Sequence, residues 1–286
     1  MRWVFIIASS LICAGTTGAA QDIGVSGSAN AGLVYDSDAT GGTVSAQNEI
    51  NFLITGTGRS DGGLEFGAFI DIDETGVDDA EVFLSGRFGT ITLGGVDAAP
   101  DGFGIADVGF SGLGVDDVAE QFKNATAGAD VRYSYAAGGV TIIASAEVGD
   151  ESSYGVAAEV DTGALSLGIG YVDDTNDANS AFSVTAGYSF GPLAVSGLYS
   201  DWSAGSQGYG LDLSLNTGAA TVTAAWAQAT GTAADPEDGI GDAYGLGVSL
   251  PVSDGLTVSG GLGLIETDAV TDGSRTVADF GITMNF

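Results

Sequence analysis

The chain is short of basic residues and has no histidine. Lys and Arg number 6 against 38 Asp and Glu over 286 residues, a formal charge of −32. So acidic a chain excludes a nucleic-acid partner, which needs a basic face against phosphate. Without histidine, and with the single cysteine at Cys13, Ser-His and Cys-His nucleophiles and zinc sites built on those side chains are ruled out. No G-K-[ST] occurs for a phosphate loop, and G-F-G-I-A-D-V-G at 102–109 lacks dinucleotide-motif spacing. Carboxylate pairs are plentiful, so none singles out an acid–base site. No catalysed reaction and no cofactor are expected.

Long hydrophobic runs are also missing. Beyond residue 20 there is no uninterrupted apolar stretch of about 18 residues, so no transmembrane helix is expected. The chain is nevertheless 44% hydrophobic with mean hydropathy +0.27, too apolar for disorder, and its 48 glycines have no collagen-like period. Residues 1–20, M-R-W-V-F-I-I-A-S-S-L-I-C-A-G-T-T-G-A-A, combine a basic residue, an apolar core and small residues suited to cleavage. They are expected to be a cleaved signal peptide, leaving one domain over 21–286. Cys13 would leave with it; Ile12 is bulky where lipoprotein processing wants a small residue.

An exported chain that is apolar on average, highly charged and without a spanning helix fits a membrane β-barrel. There lipid meets one face of each strand and water the other, so hydrophobic residues fall at every second position. Val25, Gly27, Ala29, Ala31, Leu33 and Tyr35 share one face against Ser26, Ser28 and Asn30. Ile50, Phe52 and Ile54 follow, then Leu64, Phe66, Ala68, Ile70 and Ile72, a short acidic loop, and Val82 and Leu84 against Glu81 and Ser85. The scheme continues to Thr276, Ala278, Phe280, Ile282, Met284 and Phe286. The fold class is therefore all-β: a transmembrane antiparallel barrel of about sixteen strands.

Connections such as 161–163, 191–192 and 217–218 are tight, while 173–179, 230–242 and 267–273 are longer and acid-rich. That asymmetry puts the acidic loops outside the cell. Tyr35, Tyr171, Tyr199, Tyr209 and Tyr244 fall near the strand ends beside those loops, at headgroup level. A soluble sandwich or solenoid also alternates strands and turns. A sandwich needs large inward side chains, though, and the polar rows here are Gly, Ser, Thr, Asp and Glu, with no solenoid repeat.

One stretch, 97–130, does not alternate. It carries Asp97, Asp101, Asp107, Asp116, Asp117 and Glu120, while Val115, Val118, Ala119 and Phe122 have helical spacing. Asp117 and Glu120 are placed as a capping box. A short helix with one face on the barrel wall and its carboxylates toward the lumen would narrow the channel. The alternative is an external loop whose acids are merely solvated.

G-L-E-F-G-A at 63–68, V-F-L-S-G-R-F-G at 82–89, the long third outer loop and V-A-D-F-G-I-T-M-N-F at 277–286 resemble the trimeric general porins of alphaproteobacteria. The resemblance implies an inward-folded third extracellular loop that constricts the channel, association of three barrels, and a role for Phe286 in recognition by the barrel assembly machinery. It also implies an outer-membrane location and passive passage of small hydrophilic solutes and ions. Family eyelets oppose loop acids with several wall arginines. This chain departs from that, since parity turns Arg132 inward while Arg59 and Arg87 sit in inner turns, Arg275 near an outer end and Lys123 on the loop itself.

With inward Glu65, Asp71, Glu147, Glu159, Asp212 and Asp279 added to the loop acids, the lumen should be negative and the channel cation-selective. Calcium on Asp71, Asp73 and Glu74, or on Asp173, Asp174 and Asp177, has hard oxygen ligands available but no EF-hand loop. Outward Gly27, Ala29 and Ala31 would permit close packing between subunits in the membrane. Two rival functions remain: a substrate-selective channel, which would want an aromatic track, and a non-conducting surface barrel for adhesion.

Overall fold

The structure, a computed structural model, describes residues 21–38, 42–124, 128–149, 152–174, 179–203, 205–234, 239–270 and 273–286. The expected signal peptide lies outside the described residues.

Among the described residues sixteen strands run in chain order. The first eight are β1 (Gln21–Asp36), β2 (Thr43–Arg59), β3 (Glu65–Asp73), β4 (Gly76–Gly86), β5 (Gly89–Val96), β6 (Ala129–Ala137), β7 (Val140–Ala146) and β8 (Ser153–Asp161). The second eight are β9 (Leu165–Asp174), β10 (Asn179–Phe190), β11 (Leu193–Trp202), β12 (Ser206–Asn216), β13 (Thr221–Thr230), β14 (Gly241–Ser253), β15 (Leu256–Thr267) and β16 (Arg275–Asn285). Each pairs antiparallel with its sequence neighbours, and β1 pairs with β16 to close the barrel. Closure removes the unpaired edges that a membrane does not tolerate.

Burial follows the period-two pattern. On β16, Phe280 is 61% exposed while its neighbour Asp279 is 8% exposed, and on β14 Leu246 is 54% exposed. Registers keep like faces together: Leu33 opposes Phe280, Ala29 opposes Met284 and Leu211 opposes Trp226. The apolar rows thus form one continuous outer surface rather than a dry centre, as a lipid boundary requires. Tyr171 and Tyr199 on this surface donate hydroxyl hydrogen bonds to Asp173 (2.9 Å) and Asp201 (3.1 Å), each two residues nearer the loops. Phe286 closes the chain by exchanging backbone hydrogen bonds with Gly27 and meeting Phe52 edge-on at 5.9 Å.

One sequence expectation is corrected. The acidic loop before Val82 is mostly strand, because β4 already begins at Gly76. Asp73 Oδ1 accepts from the Thr75 and Gly76 N–H groups at 2.7 and 2.9 Å, and Gly76 takes a φ of 139°, which a side chain would resist. The tight turn so formed carries Asp78 and Asp79 onto the strand.

The inner face from β8 to β16 is surfaced with glycine because another segment lies on it. A Cβ on Gly208 would sit 2.1 Å from the Ala119 carbonyl oxygen and 2.6 Å from Ser200 Oγ. Cβ atoms on Gly245, Gly247 and Gly263 would meet Val108, Val115 or Leu113. Gly208→Ala should therefore cost about 1–3 kcal/mol by overpacking, read as a lower unfolding midpoint in detergent. An unchanged midpoint would mean that the segment around Ala119 is not seated on β12.

Candidate functional site

The connection from β5 to β6 begins at Asp97 and packs against the barrel face opposite the exposed apolar rows. It holds one helical turn, α1 (Asp117–Glu120), against β11, β12, β13 and β14. Phe103, Val108, Leu113, Val115, Val118 and Phe122 are all buried, and Phe122 stacks on Trp202 with ring centroids 5.8 Å apart. The helical spacing of Val115, Val118, Ala119 and Phe122 thus marks a wall-facing side, as expected.

Polar wall groups fix the backbone of the same segment. The Ala99 N–H donates to Ser145 Oγ at 2.8 Å, Ser183 Oγ donates to the Lys123 carbonyl at 2.8 Å, and Ser200 Oγ donates to the Ala119 carbonyl at 3.3 Å. Asp212 accepts from the Ala106 N–H at 3.1 Å and from the Ser196 hydroxyl. Asp279 Oδ2 accepts from the Phe110 and Ser111 N–H groups, each at 2.7 Å, and from Ser111 Oγ at 3.0 Å. Gly109, at φ 93°, lets the backbone wrap this carboxylate; a Cβ there would lie 2.5 Å from Asp279 Oδ1. Asp212 and Asp279 face inward as parity requires, but both are buried as acceptors for the loop.

The loop acids divide by environment. Asp107 is exposed, whereas Asp116 is buried against it, and burial together with Asp107, Asp117 and Glu120 pushes the Asp116 carboxyl up to about 9. Asp116 therefore holds its proton at neutral pH. Glu120 accepts from the Ile105 N–H at 2.8 Å and pairs with Lys123 at 2.7 Å. Burial raises its pKa and Lys123 opposes the rise. Asp101 accepts from Asn124 at 2.9 Å. Asp117 lines a cavity of about 330 Å³ with Asp36, Leu113 and Arg275.

The expected capping box is not formed. The helix is capped by Asp116, without a side-chain hydrogen bond, and the Glu120 carboxylate turns instead to Ile105 and Lys123. A capping box needs its glutamate free to reach back to the cap N–H, and here a charged partner and a distant backbone donor take it.

Arg132 opposes Thr92 and Ser145 across β6, and its Nη1 donates to the Asp97 carbonyl at 3.3 Å, so it ties the loop's first residue to the wall. Glu65, at the inner end of β3, lies 3.9 Å from Arg59 with both side chains exposed. Asp71 sits at a register shift between Ile70 and Ile72, in electrostatic contact with Asp73, Asp78 and Asp79. Glu159 opposes Thr141 and Gly168 on β8, and Glu147 lies just beyond β7, with Ser153 Oγ 3.4 Å away. Among the described residues no three His, Cys, Asp or Glu side chains are arranged to hold a metal ion; Asp177 of one calcium candidate lies outside them.

Sequence reasoning passed over three groups that belong here. Glu81 interacts with Asp79, Asp97 and Arg132, and Glu49 accepts from Asn51 at 2.8 Å. Parity marks both, since Val82 and Ile50 point out. Arg275 was placed only near an outer end, yet its Nη2 would lie 3.8 Å from a Cβ on the loop's Gly114, and its Nη1 is 3.8 Å from Asp36. No local signal identifies that contact, because the loop residue lies far away in the chain.

A family model described as Gram-negative porin matches residues 7–283. A porin of Rhodobacter capsulatus is 29% identical, with 93% of this chain and all of the relative covered. Among solved structures, a mutant of the Rh. blastica porin superposes with a TM-score of 0.76 at 23% identity, covering 93% of this chain and all of that one. A porin structure refined at 1.8 Å resolution gives a TM-score of 0.72 at 25% identity over the same 93% of this chain and all of its own. The family and its fold are those of outer-membrane channels, not enzymes. With its closed sixteen-stranded barrel and a match along nearly its whole length, the chain belongs to the Gram-negative porin family.

Proposed function

We propose that the protein is a cation-selective diffusion channel of the outer membrane, exported by a cleaved signal peptide, with the segment from about 97 to 130 as its constriction. The observation that carries this is the seating of an acidic loop inside a closed barrel, against β7 to β16 and, through Phe110, against Gly32 of β1, so that solutes pass between the loop and the remaining arc of wall. That arc presents Glu49, Asp71 and Glu81 on inward positions of β2, β3 and β4. Arg132, whose charge reaches Glu81, is held to the loop's own carbonyl.

The field is weaker than a count of acids suggests. Asp116 is neutral at pH 7, Glu120 is offset by Lys123, and Asp212 and Asp279 are buried against the loop. It is still negative, and low-dielectric walls concentrate counter-ions in such a passage. Passive diffusion of small hydrophilic solutes needs no cofactor and no bound calcium. Association into a homotrimer through the small outward residues Ala29 and Ala31, beside Gly27, which the Phe286 ring itself covers, and recognition of Phe286 by the assembly machinery, complete the proposal.

In planar bilayers with a KCl gradient, the zero-current potential should have the sign of a cation-favouring pore. The preference should shrink toward 1 M salt, where the Debye length falls from about 10 Å to about 3 Å. Anion preference at low salt would overturn the charge argument, and a correctly folded barrel with no conductance would overturn the channel itself.

A further inference from the structure

The wall that the loop leaves bare is not uniformly polar. Leu53 on β2, Phe69 on β3 and Phe83 on β4 alternate with outward Ile54, Ile70, Val82 and Leu84, and therefore point into the lumen. All three are only partly buried. They are neighbours across the sheet, because Phe69 opposes Thr55 and Glu81 while Phe83 opposes Gly67, two residues from Phe69. Gly67 sets the posture of the second ring. A Cβ there would lie 2.7 and 2.8 Å from Phe83 Cε1 and Cζ, so the ring reaches over the bare backbone of β3. One side of it is backed by the wall, and the other is left to the channel.

Carboxylates frame this patch. Glu81 is directly opposite Phe69 and precedes Phe83 by two positions on the same face; Asp71 opposes Leu53 and follows Phe69 by two. Glu81 also interacts with Asp79 and Asp97, so the acids outnumber Arg132, the one guanidinium they meet. The patch is backed by the wall on one side, and what it leaves uncovered meets water. Beside fixed negative charge it suits a cation that is itself partly apolar. A metal ion such as K⁺ is strongly hydrated and gains little from an aromatic face. An alkylated ammonium ion loses little on leaving water, gains dispersion contacts with Leu53 and Phe69, and is attracted by the ring quadrupole.

We propose that Leu53, Phe69 and Phe83, with Glu81 and Asp71, form a transient binding site for alkylated ammonium ions within the channel. The site makes the pore selective among cations and not merely for them. It rests on the channel proposal above and names the solute class that this same lumen favours.

The test uses the full-length mature protein in planar bilayers, with choline chloride as the probe, added to a fixed low concentration of KCl. Choline should reduce the K⁺ current along a saturating curve. Phe83→Leu keeps the apolar bulk but removes the ring, and should raise the half-blocking concentration about two- to fivefold, as befits an exposed cation–π contact. Phe83→Tyr keeps the ring and should stay within about twofold of the parent. K⁺ conductance in each variant reports that the barrel has folded and inserted. A wild-type channel that conducts K⁺ but shows no saturable effect of choline overturns this proposal and leaves the channel intact, and so does a Phe83→Leu variant with the parent's half-blocking concentration. A folded wild-type barrel with no K⁺ conductance overturns both.

Discussion

Asp279→Ala should set the β5–β6 loop loose. The Asp279 carboxylate receives two backbone N–H groups and a hydroxyl from Phe110 and Ser111, and hydrogen bonds to a charged group contribute about 1.5–3 kcal/mol each. Removing it also orphans two buried donors. Set against this, Asp279 Oδ1 is buried without a partner, so the native carboxylate carries a desolvation cost that alanine relieves. The balance should still favour attachment by about 2–4 kcal/mol. Because Phe110 and Ser111 lie at the far side of the lumen from Asp97, their release frees the loop's tip. The variant should show noisier open-channel current, a larger mean conductance and new protease cleavage between Ala98 and Lys123. Asp279→Asn keeps an acceptor without the charge and should lie between the two. Quiet current and an unchanged cleavage pattern in the alanine variant would show that the apolar contacts of Phe122 and its neighbours hold the loop alone.

Raising the pH should loosen the same loop through Asp116. Its carboxyl titrates at about 9 in the folded protein, against 3.8 for the ordinary side chain. Between those values the folded state holds a proton that the unfolded state has lost, so stability falls as pH rises across this window. It levels off only above the folded pKa, once Asp116 has lost its proton in this buried, acidic setting. Glu120, raised by burial, contributes with the same sign. Protease nicking of the loop should therefore quicken steadily from about pH 5 to about pH 9. Asp116→Asn, a permanent neutral donor to Asp107, should flatten most of that slope and protect the loop at the alkaline end. Equal nicking rates across the window in the parent protein would show that the protonation of Asp116 does not bear on the seating of the loop.

Much of the architecture was legible because the membrane enforces it. Lipid on one side and water on the other leave a strand no choice but to alternate, so Leu246, Val248 and Leu250, or Phe280, Ile282 and Met284, announce both the strand and its orientation. The break at Asp97 was as plain, since a segment seated inside the barrel has no lipid face to keep. Helical spacing at Val115, Val118 and Phe122 showed through for a similar reason, with an apolar stripe needed wherever the turn meets the wall. The start of β4 was missed because Asp78 and Asp79 look like loop residues. They are strand residues whose neighbours happen to be acids.

The roles of the individual acids were not legible. Glu159, Asp212 and Asp279 have the same parity and much the same local sequence, yet Asp212 and Asp279 are buried acceptors. The difference comes from Ala106, Phe110 and Ser111, more than a hundred positions away in the chain. Asp117 and Glu120 have capping-box spacing, but Ile105 and Lys123 claim the glutamate. From its composition and alternation alone, the sequence determined an all-β membrane barrel of about sixteen strands with one acidic loop out of step. Only the tertiary structure decided which carboxylates lie in water, which hold a proton and which grip the loop. A side chain's facing direction is a local property of the strand, while the dielectric and partners it meets are set by whatever distant segment folds over it.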